Sequence, residues 1–141
     1  MNRILLSSFL LIFLMSCASN SPPSTTTDVC KIFKERYSWY KAAKKTEKRW
    51  KIPVYVSMAI IKQESSFRAD ARPERTKLLG FIPWKRVTSA RGYAQAVDGT
   101  WEMYLNDRGG WFMSRNDFED SVDFVGWYNY ITHKQLGISL T

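Results

Sequence analysis

Val54-Tyr55-Val56-Ser57-Met58-Ala59-Ile60-Ile61-Lys62-Gln63-Glu64-Ser65-Ser66-Phe67 is the stretch on which the fold turns. Its first eight residues are apolar almost all round, which predicts a helix buried in the middle of a domain. Pro53 precedes it and suits the first helical position, where a missing N–H costs nothing. Glu64 sits one turn beyond Ile60 and Ile61. On a helical wheel it falls between Ile60 and Ser57, so it is expected along a mostly buried surface. Desolvation and the negative end of the helix dipole both disfavour a charged carboxyl in such a place. A carboxyl that keeps its proton near neutral pH is what general acid catalysis requires. The plainer alternative is an exposed, polar last turn.

Outward from this helix the chain reads as mostly α. Upstream, Asp28 or Thr27 can cap a helix starting near Val29. Val29, Ile32, Phe33, Tyr37, Tyr40 and Trp50 recur there at near-helical spacing. Lys41, Lys44, Lys45, Lys48, Arg49 and Lys51 gather at its end and read as a solvated face suited to a helix C-terminus, ahead of a docking surface for an anionic polymer. Downstream, residues 68–92 are irregular and Arg-rich, with Pro73, Gly80, Pro83 and Gly92, and they hold an apolar stretch, Leu78 to Trp84, too broken for a helix. A loop this long in a small domain tends to be functional and has room for short β-segments. Asp98 is expected to cap a third helix from Gly99 to about Asn106, broken by Gly109-Gly110. Asn116 with Glu119 forms a cap-like pair for a fourth, running to about Gln135 and ended by Gly137.

The chain has 141 residues, carries 21 Lys+Arg against 13 Asp+Glu and has a formal charge of +8. At 45% hydrophobic and 15% aromatic it can close one core and form one domain. Two Cys and a single His, His133, exclude a disulfide scaffold and a multi-histidine metal site. No metal and no cofactor are expected. Neither a phosphate-binding glycine loop nor a nucleophile elbow is present.

The N-terminus reads as an export signal. Asn2-Arg3 precedes an apolar run, Ile4 to Met15, that falls short of the roughly 20 residues needed to cross a bilayer. Leu14-Met15-Ser16-Cys17 resembles the bacterial lipobox. That resemblance implies removal of residues 1–16 and lipidation of Cys17. It also implies sorting to the outer membrane, since Ala18 rather than Asp follows the Cys. Residues 17–28 are Ser/Thr/Pro-rich and read as a flexible tether, leaving residues 29–141 as the domain. Cys30 is then a lone cysteine, either buried or a free thiol. Nucleic acid is a poor partner for a basic protein in that compartment; anionic lipid and the cell wall are the better ones.

Gly92-Tyr93-Ala94-Gln95 follows the long loop. Gly lets a backbone come close to a ligand, Tyr offers a ring face and a hydroxyl, and Gln offers donor and acceptor together. Sugars are bound through such mixtures. Taken in order, Glu64-Ser65-Ser66-Phe67, Gly92-Tyr93-Ala94-Gln95 and Thr100-Trp101 resemble the catalytic domain of soluble lytic transglycosylases. The resemblance implies a lysozyme-like, goose-type helical domain with a long loop or short β-segment between the second and third helices. It implies that Glu64 cleaves the bond between N-acetylmuramic acid and N-acetylglucosamine in peptidoglycan. Glu64 would protonate the glycosidic oxygen, then take the proton of the sugar's own C6 hydroxyl to close a 1,6-anhydro ring. Ser65 would support the carboxylate, and Tyr93 and Gln95 would contact the glycan. The family's third motif, an Ala-Tyr-Asn/His-x-Gly-like turn, has one look-alike here, Trp127-Tyr128-Asn129, within the expected fourth helix. Either Tyr128 substitutes for the motif's tyrosine or the chain is a C-terminally shortened member. A monomer lipid-anchored on Cys17, with peptidoglycan strands as partner, completes the expectation. Its alternatives are a non-catalytic peptidoglycan-binding lipoprotein, a true muramidase and a membrane-surface protein.

Overall fold

A computed structural model describes residues 21–137. The signal segment, the lipobox and Cys17 lie outside the described residues. Five helices and one hairpin are arranged in the order α1 Val29–Glu35, α2 Tyr37–Trp50, α3 Val54–Ser65, β1 Arg75–Leu78, β2 Ile82–Arg86, α4 Asp98–Arg108 and α5 Phe118–Gln135. The domain is mostly helical with a small two-stranded sheet, as expected.

The expected first helix is two helices. Arg36 leaves the helical region at φ −125° and ends α1 while opening α2. Asp28 caps α1 by accepting from the Lys31 amide, as its residue type predicted. Cys30 is exposed and free.

The central helix is α5, not α3. Residues 121–127 are all buried, and Gly126 is what permits this. A Cβ there would lie 2.5 Å from Thr46 Cγ2 and 2.6 Å from Trp50 Cδ1, so the missing side chain lets α2 and α5 pack tightly. By contrast α3 buries one stripe, Ser57, Met58, Ile61 and Ser65, and leaves Tyr55 72% exposed. The apolar surface left over on α3 has another use, as a cavity wall.

Pro53 has no side-chain donor or acceptor with which to cap α3, and it sits at the N-cap position rather than inside the helix. Glu47, from α2, substitutes by accepting from the Val54 amide at 3.1 Å. Its partner Lys44 and that amide both stabilise its charge and hold its carboxyl below the usual glutamate range. The basic cluster on α2 is thus partly consumed by acids: Lys44 pairs with Glu47, Lys45 with Glu119 and Arg49 with Asp123.

The core between α2, α5 and the 92–96 segment is aromatic. Trp39 and Phe118 stack with ring centres 3.9 Å apart, and Tyr93 stands edge-on to both at 5.5 Å. The fourth-helix cap falls one residue later than expected, since Asp117 accepts from the Asp120 amide. Asp98 likewise is the first residue of α4 and caps nothing; its carboxylate is taken by Arg115 at 2.6 Å. In the long loop, β1 and β2 pair antiparallel with Leu78 opposite Ile82, and the chain turns through Leu79 and Gly80, both at positive φ.

Candidate active site

Glu64 lies in the last turn of α3, and the chain leaves that turn sharply. Ser66 and Phe67 both adopt left-handed backbone, φ 50° and 62°, which non-glycine residues rarely accept. The strain is stabilised from below, where Phe67 is 1% exposed and stacks on Trp39. Anchoring Phe67 in the core ends α3 at this point and leaves Glu64 at the edge of an open pocket.

That pocket encloses about 320 Å³. Four parts of the chain wall it. From α3 come Ile60 and Glu64, one turn apart; from the 94–97 segment, Gln95 and its neighbours; from the start of α4, Thr100. The last wall is a stripe of α5 made of Phe124, Val125, Tyr128 and Asn129, at the i, i+1, i+4, i+5 spacing of one helix face. Among the described residues, Glu64 is the one carboxylate on this wall.

The 94–97 segment is held in place from behind. Gly92 has φ +78°, and a Cβ there would sit 1.8 Å from the carbonyl oxygen of Arg115. The glycine is therefore needed for close approach of the protein's own backbone, whereas the sequence suggested approach of a ligand. Gly92 N–H donates to Ala71 O at 2.9 Å and Tyr93 N–H to Arg115 O at 3.1 Å. Arg115, itself 7% exposed, donates to Ala96 O at 2.8 Å and binds Asp98 at 2.6 Å. The Arg115 guanidinium beside Asp98 holds that carboxyl below its ordinary range. Gln95 is turned by a positive φ of 47°, and its amide nitrogen donates to both Ala71 O and Gly92 O at 2.9 Å. This fixes the side-chain plane and leaves its carbonyl oxygen without a donor among the described residues.

Three expected site residues come together in the pocket: Glu64, Gln95 and Tyr128. Tyr128, 47% exposed, lies nearly parallel to Phe124 at 6.0 Å and presents an open ring. Two others do not come to it. Tyr93 is 2% exposed and packed among Trp39 and Phe118, and burial pushes its phenol upward. It shapes the core and gives no face to the pocket. Ser65 is buried on a different stripe of α3 and donates its hydroxyl to Ile61 O at 3.1 Å rather than to the Glu64 carboxylate. One residue along a helix is a rotation of about 100°, which separates neighbours so completely. Glu64 itself is exposed, so the burial expected for it is absent. Thr100 and Asn129, both in the quoted motifs but given no role from sequence, also face the pocket.

A second carboxylate, unremarked in the sequence, is the most heavily bonded in the domain. Asp123 is 7% exposed and accepts from Trp50 Nε1 at 2.9 Å, Tyr104 Oη at 2.9 Å, Arg108 Nε at 3.0 Å and Arg49 Nη1 at 3.2 Å. Burial, then the charge of Asp123, drives the Tyr104 phenol far up. None of these five residues lines the pocket, and together they join α2, α4 and α5.

The sequence model of the family described as "Transglycosylase SLT domain" matches residues 5–141. No curated protein and no solved structure matches the chain significantly.

Proposed function

On the premise that the chain belongs to the transglycosylase SLT domain family, we propose that it cleaves the N-acetylmuramic acid–N-acetylglucosamine bond of peptidoglycan without water. The family supports a lytic-transglycosylase-type activity on peptidoglycan glycan in general. The finer reading rests on one observation, that Glu64 is the one carboxylate on the pocket wall among the described residues.

Ordinary glycoside hydrolysis uses two carboxyl groups flanking the bond. Here a single group must serve twice. Glu64 donates its proton to the glycosidic oxygen as the C–O bond breaks. The resulting carboxylate then takes the proton of the muramic C6 hydroxyl as that oxygen closes on C1. One proton leaves and one returns, no water is consumed, and the product ends in a 1,6-anhydro ring. Glu64 is exposed in the free protein, so its desolvation comes from the sugar that covers it. Gln95, with its nitrogen already committed, offers an oriented carbonyl to a sugar amide or hydroxyl. Tyr128 offers a ring on which a pyranose can lie.

Mass spectrometry of peptidoglycan digested by the protein, beside Glu64→Gln, tests the reading. Anhydro-muropeptides that vanish in the variant are expected. Reducing-end products would make the protein a muramidase. Products from neither protein, with glycan still retained, would make it a non-catalytic peptidoglycan-binding lipoprotein.

The same reading includes lipidation of Cys17, placement at the periplasmic face of the outer membrane and action as a monomer. Palmitate labelling that is lost in Cys17→Ala, with fractionation of the envelope, tests the first two; sedimentation tests the third.

A further inference from the structure

A second cavity is strongly basic. It encloses about 550 Å³ between the 68–74 loop and the β1–β2 hairpin and is lined by Arg68, Arg72, Arg75, Lys77 and Arg86. Asp70 and Glu74 share its rim, which leaves a net charge of +3. Among the described residues none of these seven groups takes part in an ion pair. Arg86 alone has a hydrogen bond, to Pro73 O. The contrast with α2 is direct, because there half the basic cluster is already matched by acids.

One hydrogen bond links the walls of the two cavities. Arg68 follows Glu64 by four residues, and Ala71, which lines the groove, accepts the side-chain hydrogen bond of Gln95, which lines the pocket. A polymer lying across Glu64 and Gln95 therefore has unmatched guanidinium groups beside it. Arginine in such numbers suits carboxylates, which it binds with two parallel N–H donors. The backbone of an N-acetylated glycan is neutral, and the muramic lactyl carboxyl is tied up in an amide to its peptide. The free carboxylates of the substrate are those of the peptide.

We propose that this groove binds the carboxylates of the peptide attached to the glycan, so that the protein selects peptide-bearing strands over bare ones. The proposal rests on the transglycosylase reading for its substrate, and the experiment separates the two. Labelled glycan strands of one length are prepared intact and with their peptides removed by an amidase, the lactyl carboxyls freed by that step being capped as simple amides so that the stripped strands are neutral. Binding is measured by fluorescence polarisation with the full chain carrying Glu64→Gln, and cleavage with the unmodified full chain.

Intact strands are expected to bind about tenfold more tightly than stripped ones, the worth of one or two charge-assisted hydrogen bonds. That ratio should fall as salt rises. Adding Arg72→Glu and Arg75→Glu should bring it close to one, with Arg72→Ala as a milder variant that gives an intermediate value. Equal binding of both strands, or variants that weaken both alike, would overturn the groove proposal even if cleavage proceeds. Preferential binding of intact strands with no cleavage of either would leave the groove standing and remove the transglycosylase reading. Failure to bind either strand would remove both.

Discussion

Glu64 and Asp123 are carboxylates on helices that pack against one another, and their surroundings are opposites. Asp123 is buried at the junction of three helices and accepts from four side chains. Glu64 is exposed on the wall of a pocket and no described residue donates to it. A buried carboxylate persists only when its charge is fully matched, and once matched it has no capacity left for a substrate. A carboxylate left open beside an apolar wall keeps that capacity. Helix α5 carries both situations, with Asp123 on its inner face and Tyr128 and Asn129, one to two turns on, facing the pocket.

This contrast can be tested by exchanging what each group is asked to lose. The largest effect is expected from Glu64→Gln, which should cut the cleavage rate by roughly 10²–10⁴-fold, the usual worth of a general acid–base group. Its melting temperature should stay near that of the unmodified protein, because no hydrogen bond is lost. Asp123→Ala should do the reverse. It strands two guanidiniums, an indole N–H and a phenol, and should cost about 3 kcal/mol in a urea titration, while the protein that remains folded retains its cleavage rate. If Asp123→Ala instead leaves stability intact and abolishes cleavage, the assignment of the two carboxylates is reversed.

Smaller effects sharpen the boundary between scaffold and site. Gly92→Ala introduces a Cβ into the Arg115 carbonyl, and stability should fall by at least about 2 kcal/mol. Tyr128→Ala removes an exposed ring, so stability should hardly move while KM for glycan strands rises about tenfold, the scale of one stacked sugar. Tyr93→Phe, by contrast, should leave KM unchanged, since that ring is sealed in the core.

The smallest effect concerns pH. The carboxyl of Asp98 is held below its ordinary value of 3.8, first by its hydrogen bond to Arg115. A lowered folded value means the contribution is present above that ordinary value and is lost as pH falls through the folded one. The melting temperature of Asp98→Asn should therefore lie slightly below that of the unmodified protein near neutral pH. The two should converge as pH falls through the lowered folded value of Asp98.

Much of the site was legible in residue order. The apolar run into Glu64, the Gly-x-x-Gln spacing and the aromatic Trp127-Tyr128-Asn129 each mark a piece of chain that reaches the pocket. The three later helices, the long loop and the Asp28 cap were legible for the same reason, since period, punctuation and capping are local properties, whereas the break at Arg36 was not. Which member of each motif turns inward was not. Tyr93 and Gln95 are two residues apart in one motif, yet one fills the core and the other faces the pocket. That is decided by the Arg115 backbone packing on Gly92 and by the positive φ of Gln95.

What residue order alone determined was therefore the inventory: a mostly helical fold, with a single carboxylate placed after an apolar helix and a glycine-led motif to face it. Tertiary structure decided the assignments. It made α5 rather than α3 the central helix, because Gly126 admits Thr46 and Trp50. It turned Ser65 away from the carboxylate it follows, and it matched Asp123 with four donors drawn from α2 and α4. Burial and charge matching are sums over residues distant in the chain, and no local pattern carries such a sum.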